Sequence, residues 1–405
     1  MFKTVKAPHI LLPRKDVDWS KYAVIACDQY TSNLQYWNSL LEEVGDEVST
    51  FKMIYPEAYL ENTNNEEYIK NINQNIDNYL ENNDLVDIGE CFILVERITS
   101  YGVRRLGLVL SVDLEDYSFG KGSKALIRAS EATIVERIPP RLKIRKDSDI
   151  ELPHILVLFD DPHKEIVEPL YKDRDQLEKV YDFELNKNGG HIRGYRVDNT
   201  DEIIGKFHKL LKKNNNGLLF IVGDGNHSLA TAKAHWELIK KDLTIEEQEN
   251  HPARYALVEA NNLYDDGIIF EPIHRVLFNV DKDFEKELRE RVKGDFISFT
   301  YTKEEGKKEL RMPKNAPMAY LQVQTFLDEY LKTHPQTKID FIHDEEELLA
   351  VADKNINSVA IAMPALTKED LFDYLAKDLV LPRKSFSMGH ANEKRYYLEA
   401  KKITY

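Results

Sequence analysis

Asp224, Asn226, His227 and Ser228 stand in one short stretch, interleaved with Gly223 and Gly225. A carboxylate, an amide, an imidazole and a hydroxyl at such spacing offer a proton acceptor, an oxygen ligand for a metal and donors for a phosphate. An apolar run, Gly217-Leu-Leu-Phe-Ile-Val222, precedes them, and a helical pattern from about Asn226 to Lys241 follows. The change of period predicts a strand, a tight glycine turn and a helix start. Glycines let backbone approach a ligand closely. The N–H groups and positive dipole end of a helix favour an anion, typically phosphate. The spacing is neither that of a P-loop nor that of the dinucleotide fingerprint. The plain structural alternative is a strand–helix turn capped by Asn226 or Ser228.

Other residues have two readings each. Asp28 follows the apolar run Tyr22-Ala-Val-Ile-Ala-Cys27. Ligands gather at the carboxyl ends of strands in open α/β sheets, so Asp28 is a candidate general base or metal ligand, or else an Asx turn. Arg128 and Glu131 open a basic stretch that continues through Arg137, Arg141, Lys143 and Arg145, interrupted by Pro139-Pro140. One or two of these cations are expected at a phosphate and the rest in solvent. Asp160-Asp161-Pro162 reads as a Mg²⁺ pair or as a turn. His274 and Arg275 end a strand, and Arg275 suits a carboxylate or phosphate as well as an edge ion pair. His191 reads as a hairpin tip. Lys384 and His390 lie in a basic terminal loop.

The elements that must position these residues follow from periodicity. Helices are predicted over Leu34 to Val44 with Thr31 or Ser32 as cap, about Asn65 to Glu81, Glu168 to Lys179 and 200–212. Strands are predicted at Glu90 to Arg97 and Arg104 to Val112, joined through Tyr101-Gly102, and at His154 to Phe159. A glycine-turn hairpin is predicted around Gly189-Gly190. Arg254 to Asn261 and Gly267 to His274 read as further strands. From about Phe278, helices and strands alternate at 282–292, 296–302, 316–333, 338–343, 344–353, 358–363 and 367–376. A terminal strand, Tyr396 to Ile403, closes the chain.

The chain has 405 residues, 42% of them hydrophobic, enough for two joined units with a real core. The formal net charge is −15 and no long basic block occurs, which disfavours nucleic acid. Two cysteines, Cys27 and Cys91, form no CxxC pair. With no secretory signal and no long apolar span, a cytoplasmic protein without a membrane partner is expected.

Six segments carry a resemblance. Val24-Ile-Ala-Cys-Asp28, Arg128-Ala-Ser-Glu-Ala-Thr133, Phe159-Asp-Asp-Pro162, Asp224-Gly-Asn-His227, Pro272-Ile-His-Arg275 and Leu381-Pro-Arg-Lys-Ser385 occur in that order. Together they resemble the DUF1015 family of uncharacterised bacterial and archaeal proteins, over nearly the whole chain. That family's central box usually reads Asp-Gly-His-His-Arg; here Asn226 replaces the first His and Ser228 the Arg. The box is also similar to one in the ParB/sulfiredoxin-like superfamily, which includes chromosome-partition CTPases, sulfiredoxin and free-serine kinases. That likeness implies an α/β fold of mixed sheets, with a ParB/sulfiredoxin-like core and a C-terminal α/β extension. It also implies nucleotide phosphates at the helix start, with Arg275 or Lys384 replacing the missing arginine.

The expectation is a nucleotide-dependent phosphotransferase acting on a small hydroxylated metabolite such as a hydroxy amino acid. Its nucleotide is a tri- or diphosphate, ATP or ADP first, with Mg²⁺ at Asp224. Asp28, Asp224 and His227 carry the chemistry. Gly223, Gly225, Asn226, Ser228, Arg275 and Lys384 hold the nucleotide, and Arg128, Glu131 and His274 the substrate. A second copy of the chain is left open as a partner. Residues 1–277, with the box at 223–232, form the core, and 278–405 a C-terminal region that returns its last strand to it. The rival readings are a nucleotide-hydrolysing switch protein and a metal-dependent hydrolase using Asp28, Asp224, His227 and His274.

Overall fold

The computed structural model describes residues 2–25, 30, 33–56, 59, 66–214, 217–377 and 379–405. The chain divides into two compact units. The first takes the chain up to Ala129, then Thr133–Ile268 and His390–Tyr405; the second takes Ser130–Ala132 and Ile269–Gly389.

Ten strands form the main sheet of the first unit among the described residues. They are β1 (Val5–Lys6), β2 (Phe92–Ile98), β3 (Arg104–Asp113), β4 (Tyr117–Ser118), β5 (Ile127–Ala129), β6 (Leu156–Phe159), β7 (Glu178–Leu185), β8 (Gly190–Val197), β9 (Phe220–Asp224) and β10 (Tyr255–Asn262). The order is β7-β8-β2-β3-β10-β6-β9-β5-β4, and β1 pairs with β3. Pairing is parallel for β6–β10, β9–β5 and β5–β4 and antiparallel elsewhere.

Strand side chains alternate between two apolar clusters. Phe92, Leu94, Leu108, Val157 and Phe220 join one; Ile93, Val95, Val109 and Leu257 join the other. Helices cover both. The Thr200–Lys213 helix (through Ile203, Phe207 and Leu210) packs in the first cluster. The Leu34–Val44 helix and α1 (Glu66–Glu81) place Trp37, Leu40, Ile72 and Ile76 in the second. Burial on both faces is why the strands read as continuous apolar runs rather than alternating ones.

In the second unit, a five-stranded antiparallel sheet has the order Gly306–Met312, Phe296–Thr302, Ser358–Ile361, His274–Phe278, Lys338–Ile342. Val276, Ile342, Leu348 and Ala360 lie in its core. Phe270–Pro272 pairs separately with Phe386–Met388.

The structure differs from the sequence reading at several points. Asn33, not Thr31 or Ser32, caps the Leu34–Val44 helix, its side chain accepting from Tyr36 N; Thr31 and Ser32 lie outside the described residues. The helix expected over 168–179 ends at Lys172, because Glu178–Leu185 pairs along β8. Pro139 and Pro140 start the Ile138–Arg145 helix (α2), where a missing N–H loses no bond. Gly306–Met312 carries no strand signal because Lys307, Lys308 and Glu309 stand together on a half-exposed strand. The units part at 268/269 rather than 277/278, since Phe270–Pro272 and His274–Phe278 both pair inside the second unit. Residues 390–405 belong to the first unit, as two short strands rather than one: Tyr396–Tyr397 on Val24–Ile25 and Lys401–Lys402 on Ile150–Glu151.

Candidate functional site

The strand β9 ends at Asp224, and α3 (Asn226–Ile239) starts two residues later. Gly225 bridges them in the left-handed region, at φ +84°. A Cβ there would lie 3.0 Å from Ile155 Cγ1 and 3.1 Å from its Cα, so the turn and the chain leading into β6 need a residue without a side chain. Gly225 provides no side-chain cap for α3. First-turn amides have no acceptor within their own helix, and a helix N-terminus favours an anion.

The polar residues of the box are held in place. Asp224 Oδ1 accepts from Gly225 N at 2.9 Å. His227 Nε2 accepts from Ile134 N at 3.3 Å. Thr231 Oγ1 donates to His227 O at 2.7 Å. Arg128 lies on β5, paired with Ile221 of β9, and its Nε donates to Ala125 O at 2.9 Å.

A residue the sequence reading passed over completes this end of the first unit. Lys394 Nζ lies 3.3 Å from Asp224 Oδ2, with its side chain 9% exposed and that of Asp224 27%. The backbone carrying it is clamped. Arg97 donates to the carbonyls of Asn392 and Lys394 at 2.6 Å, and Arg105 to that of Glu393 at 3.0 Å. Arg395 pairs with Glu259 at 3.0 Å and Glu399 at 2.6 Å, and Tyr181 also donates to Glu399. Burial, with Arg105 adding to it, pulls the Arg97 guanidinium down to about 10. A buried network of this kind orders the tail more than it stabilises the fold.

A cavity of about 170 Å³ adjoins the start of α3. Ser228, Thr231 and Ala232 form one wall, Arg141 and Arg145 of α2 another. Arg145 Nη2 holds Glu151 at 2.5 Å, whereas its buried Nε has no hydrogen-bond partner. The two Arg residues were part of the basic stretch read in the sequence; the cavity itself needs α1 and α2 folded together and left no sequence signal.

The remaining candidates belong to the second unit. Glu131 accepts from the amides of Lys384 and Ser385 at 2.9 Å and of Phe386 at 3.4 Å. Burial pushes its carboxyl up, and these amides pull it back only in part. Lys384 thereby contributes its backbone, at φ +57°, to a carboxylate-centred loop. Arg275 is fully buried; it donates to Ile273 O, Gln324 and Arg383 O, and lies over the Tyr320 and Phe341 rings. His274 Nδ1 accepts from Met363 N at 3.0 Å, and burial lowers its imidazole to about 4.

The structure thus groups Gly223, Asp224, Gly225, Asn226, His227, Ser228 and Arg128 in the first unit, with Glu131, His274, Arg275 and Lys384 in the second. Asp28 lies outside the described residues. Asp161 is engaged as a turn, accepting from Glu165 N and Ile166 N. His191 joins Asp182 and Glu184 on its hairpin. Among the described residues no group of three or more His, Cys, Asp or Glu is placed to hold a metal ion, and no helix is long and apolar enough to cross a membrane.

A family model described as a protein of unknown function (DUF1015) matches residues 10–404. Among solved structures, a conserved hypothetical protein from Pyrococcus furiosus is 10% identical, with a TM-score of 0.35, covering 73% of this chain and 95% of its own. A free serine kinase in complex with AMP is also 10% identical, with a TM-score of 0.38 and coverage of 73% and 92%. SbnI from Staphylococcus aureus, with a C-terminal truncation, is 12% identical at a TM-score of 0.37, with coverage of 69% and 81%. The search of curated proteins found no match.

Proposed function

The chain belongs to the DUF1015 family of proteins of unknown function, and we propose that it is a nucleotide-dependent phosphotransferase whose phosphates rest on Gly223–Ser228. The observation that carries this reading is the left-handed glycine start of α3, which has no side-chain cap, with the Lys394 ammonium beside Asp224. A helix N-terminus and a nearly buried cation favour the same ligand, an anion with several oxygens. The likeness of the box to helices that hold nucleotide phosphates supports it.

Phosphoryl transfer requires positioning and charge neutralisation more than covalent chemistry from the protein. The turn amides position the phosphate. His227 uses Nε2 as acceptor for Ile134, so its neutral form carries the proton on Nδ1, which donates to a phosphate oxygen. Lys394 neutralises charge as the transferred group leaves. Once a phosphate draws the ammonium away, Asp224 Oδ2 is released to accept the proton of the attacking hydroxyl. Mg²⁺ binds through one or two carboxylates plus substrate phosphates. If the nucleotide brings Mg²⁺, Asp224 would be its single protein ligand instead of the base, and the ion would offset phosphate charge. The acceptor is a small hydroxylated metabolite such as a hydroxy amino acid.

The test is a melting-temperature screen against ATP, ADP, CTP, GTP and AMP, each with and without Mg²⁺. At 100 Kd of free ligand, binding adds ~2.7 kcal/mol to stability. A Mg²⁺-dependent rise with a nucleotide, lost in His227→Ala, is expected. No rise with any nucleotide removes the reading.

A further inference from the structure

The cavity beside α3 has a wall in common with the phosphate turn. Ser228 stands in the first turn of the helix and also lines the cavity, which continues along α3 past Thr231 to Ala232. We propose that this cavity takes the heterocyclic base of the nucleotide whose phosphates rest on the turn. The proposal rests on the nucleotide reading above and adds where, and by what contacts, the rest of that ligand is held.

Size supports a single ring system. The cavity measures about 170 Å³. An apolar cavity of roughly 150 Å³ accepts benzene, whereas pockets for whole drug-sized ligands run from about 300 Å³ upward. A base fits inside while its sugar and phosphates stay out along α3. The walls suit a flat apolar body: Ile72 and Ile76 come from α1, Ile144 from α2 and Ile155 from the chain entering β6, with the rings of His154 and Tyr397 between. His154 and Tyr397 pack edge to face at 5.1 Å.

The polar edge is as specific as the walls. Arg145 is fixed by its 2.5 Å bond to Glu151, and its buried Nε–H has no partner. Arg141 and Arg145 of α2 both line the cavity, and ring nitrogens and exocyclic carbonyls of bases accept from guanidinium N–H groups. A free amino acid fits less well. Its ammonium needs a carboxylate, and the acid in the lining, Glu151, already accepts from Arg145 and from Leu257 N and lies 3.7 Å from Lys401 Nζ.

Calorimetric titration of the full chain with ATP and with tripolyphosphate, both with Mg²⁺, separates base from phosphates. Wild type is expected to bind ATP at least about tenfold more tightly than tripolyphosphate. Ala232→Trp, which fills the cavity from α3, is expected to erase that advantage while leaving tripolyphosphate within about threefold of wild type. Retained tripolyphosphate binding shows that the variant is folded. Where it is lost, Ile76→Trp fills the same space from α1 and decides instead. Equal wild-type affinities, or a filled variant that keeps the ATP advantage, overturn the proposal. A filled variant that binds ATP normally but loses a hydroxylated acceptor assigns the cavity to the acceptor and also overturns it. Failure of wild type to bind either probe is a failure of the nucleotide reading itself.

Discussion

Replacing Lys394 with Met removes the charge beside Asp224 and keeps most of the volume. Nζ and Oδ2 are 3.3 Å apart. Their attraction at an effective dielectric of 20 is about 5 kcal/mol, most of it offset by desolvation. Asp224 retains partial exposure, so leaving it unpaired costs about 1–2 kcal/mol of stability rather than the full buried-pair penalty. The melting temperature then falls by roughly 2–8 °C in a unit of this size. The binding effect is separate. A charge-assisted hydrogen bond to phosphate contributes about 1.5–3 kcal/mol, so Kd for ADP with Mg²⁺ rises roughly 10- to 150-fold. Titration calorimetry at two salt concentrations measures it, and Lys394→Arg recovers most of it. The Asp224→Asn background divides two causes. If Lys394 touches phosphate, Lys394→Met weakens binding in that background as well. If it only neutralises Asp224, the cost disappears there. ADP affinity within threefold of wild type in both backgrounds, alongside the stability loss, refutes a part for Lys394 in binding.

Gly225→Ala is expected to lose roughly 1–2 kcal/mol in urea unfolding, because a Cβ at φ +84° is left-handed and meets Ile155; wild-type stability contradicts that account of the turn. His274 has its imidazole lowered to about 4 by burial and accepts from Met363 N, so the folded state holds the neutral form. The unfolded chain takes up that proton near 6.5, so stability of the second unit is intact above about pH 6.5 and falls towards pH 4. Hydrogen-exchange protection factors over 269–389, corrected for the intrinsic rate at each pH, are expected to fall across that window and to fall less in His274→Asn; equal acid sensitivity counts against His274. Glu131→Gln removes one acceptor from three amides and turns an NH₂ towards them, so a loss of about 1–3 kcal/mol is expected, with faster exchange at 381–388. Unchanged exchange there would mean that the loop does not depend on the carboxylate.

The strand–glycine–helix at 220–239 was legible because apolar run, glycines and helical period change within a few residues, and each local signal agrees with the fold. Most elements between Phe278 and Ala376 were legible for the same reason, the Ala316–Thr333 helix most clearly, Gly306–Met312 being the exception. Lys394 was not. Its sequence neighbours read as a basic loop, and only Arg97, Arg105 and the Arg395–Glu259–Glu399 cluster turn that loop towards Asp224. Such long-range ion pairs have no periodicity to read. Arg275 shows the opposite case: a strand-end arginine looked available for an anion, yet its donors are taken by carbonyls and Gln324 inside the second unit. The cavity wall drawn from α1, α2 and α3 is likewise a product of packing rather than of a motif.

The most direct measurement is a crystal structure of the full chain with ADP and Mg²⁺. The account predicts phosphate oxygens within about 3.2 Å of the Asn226, His227 and Ser228 amides, with Lys394 Nζ beside them. Phosphates bound elsewhere, such as in the cavity of about 350 Å³ lined by Lys6, Tyr255 and Lys401, with the turn left vacant, would contradict it.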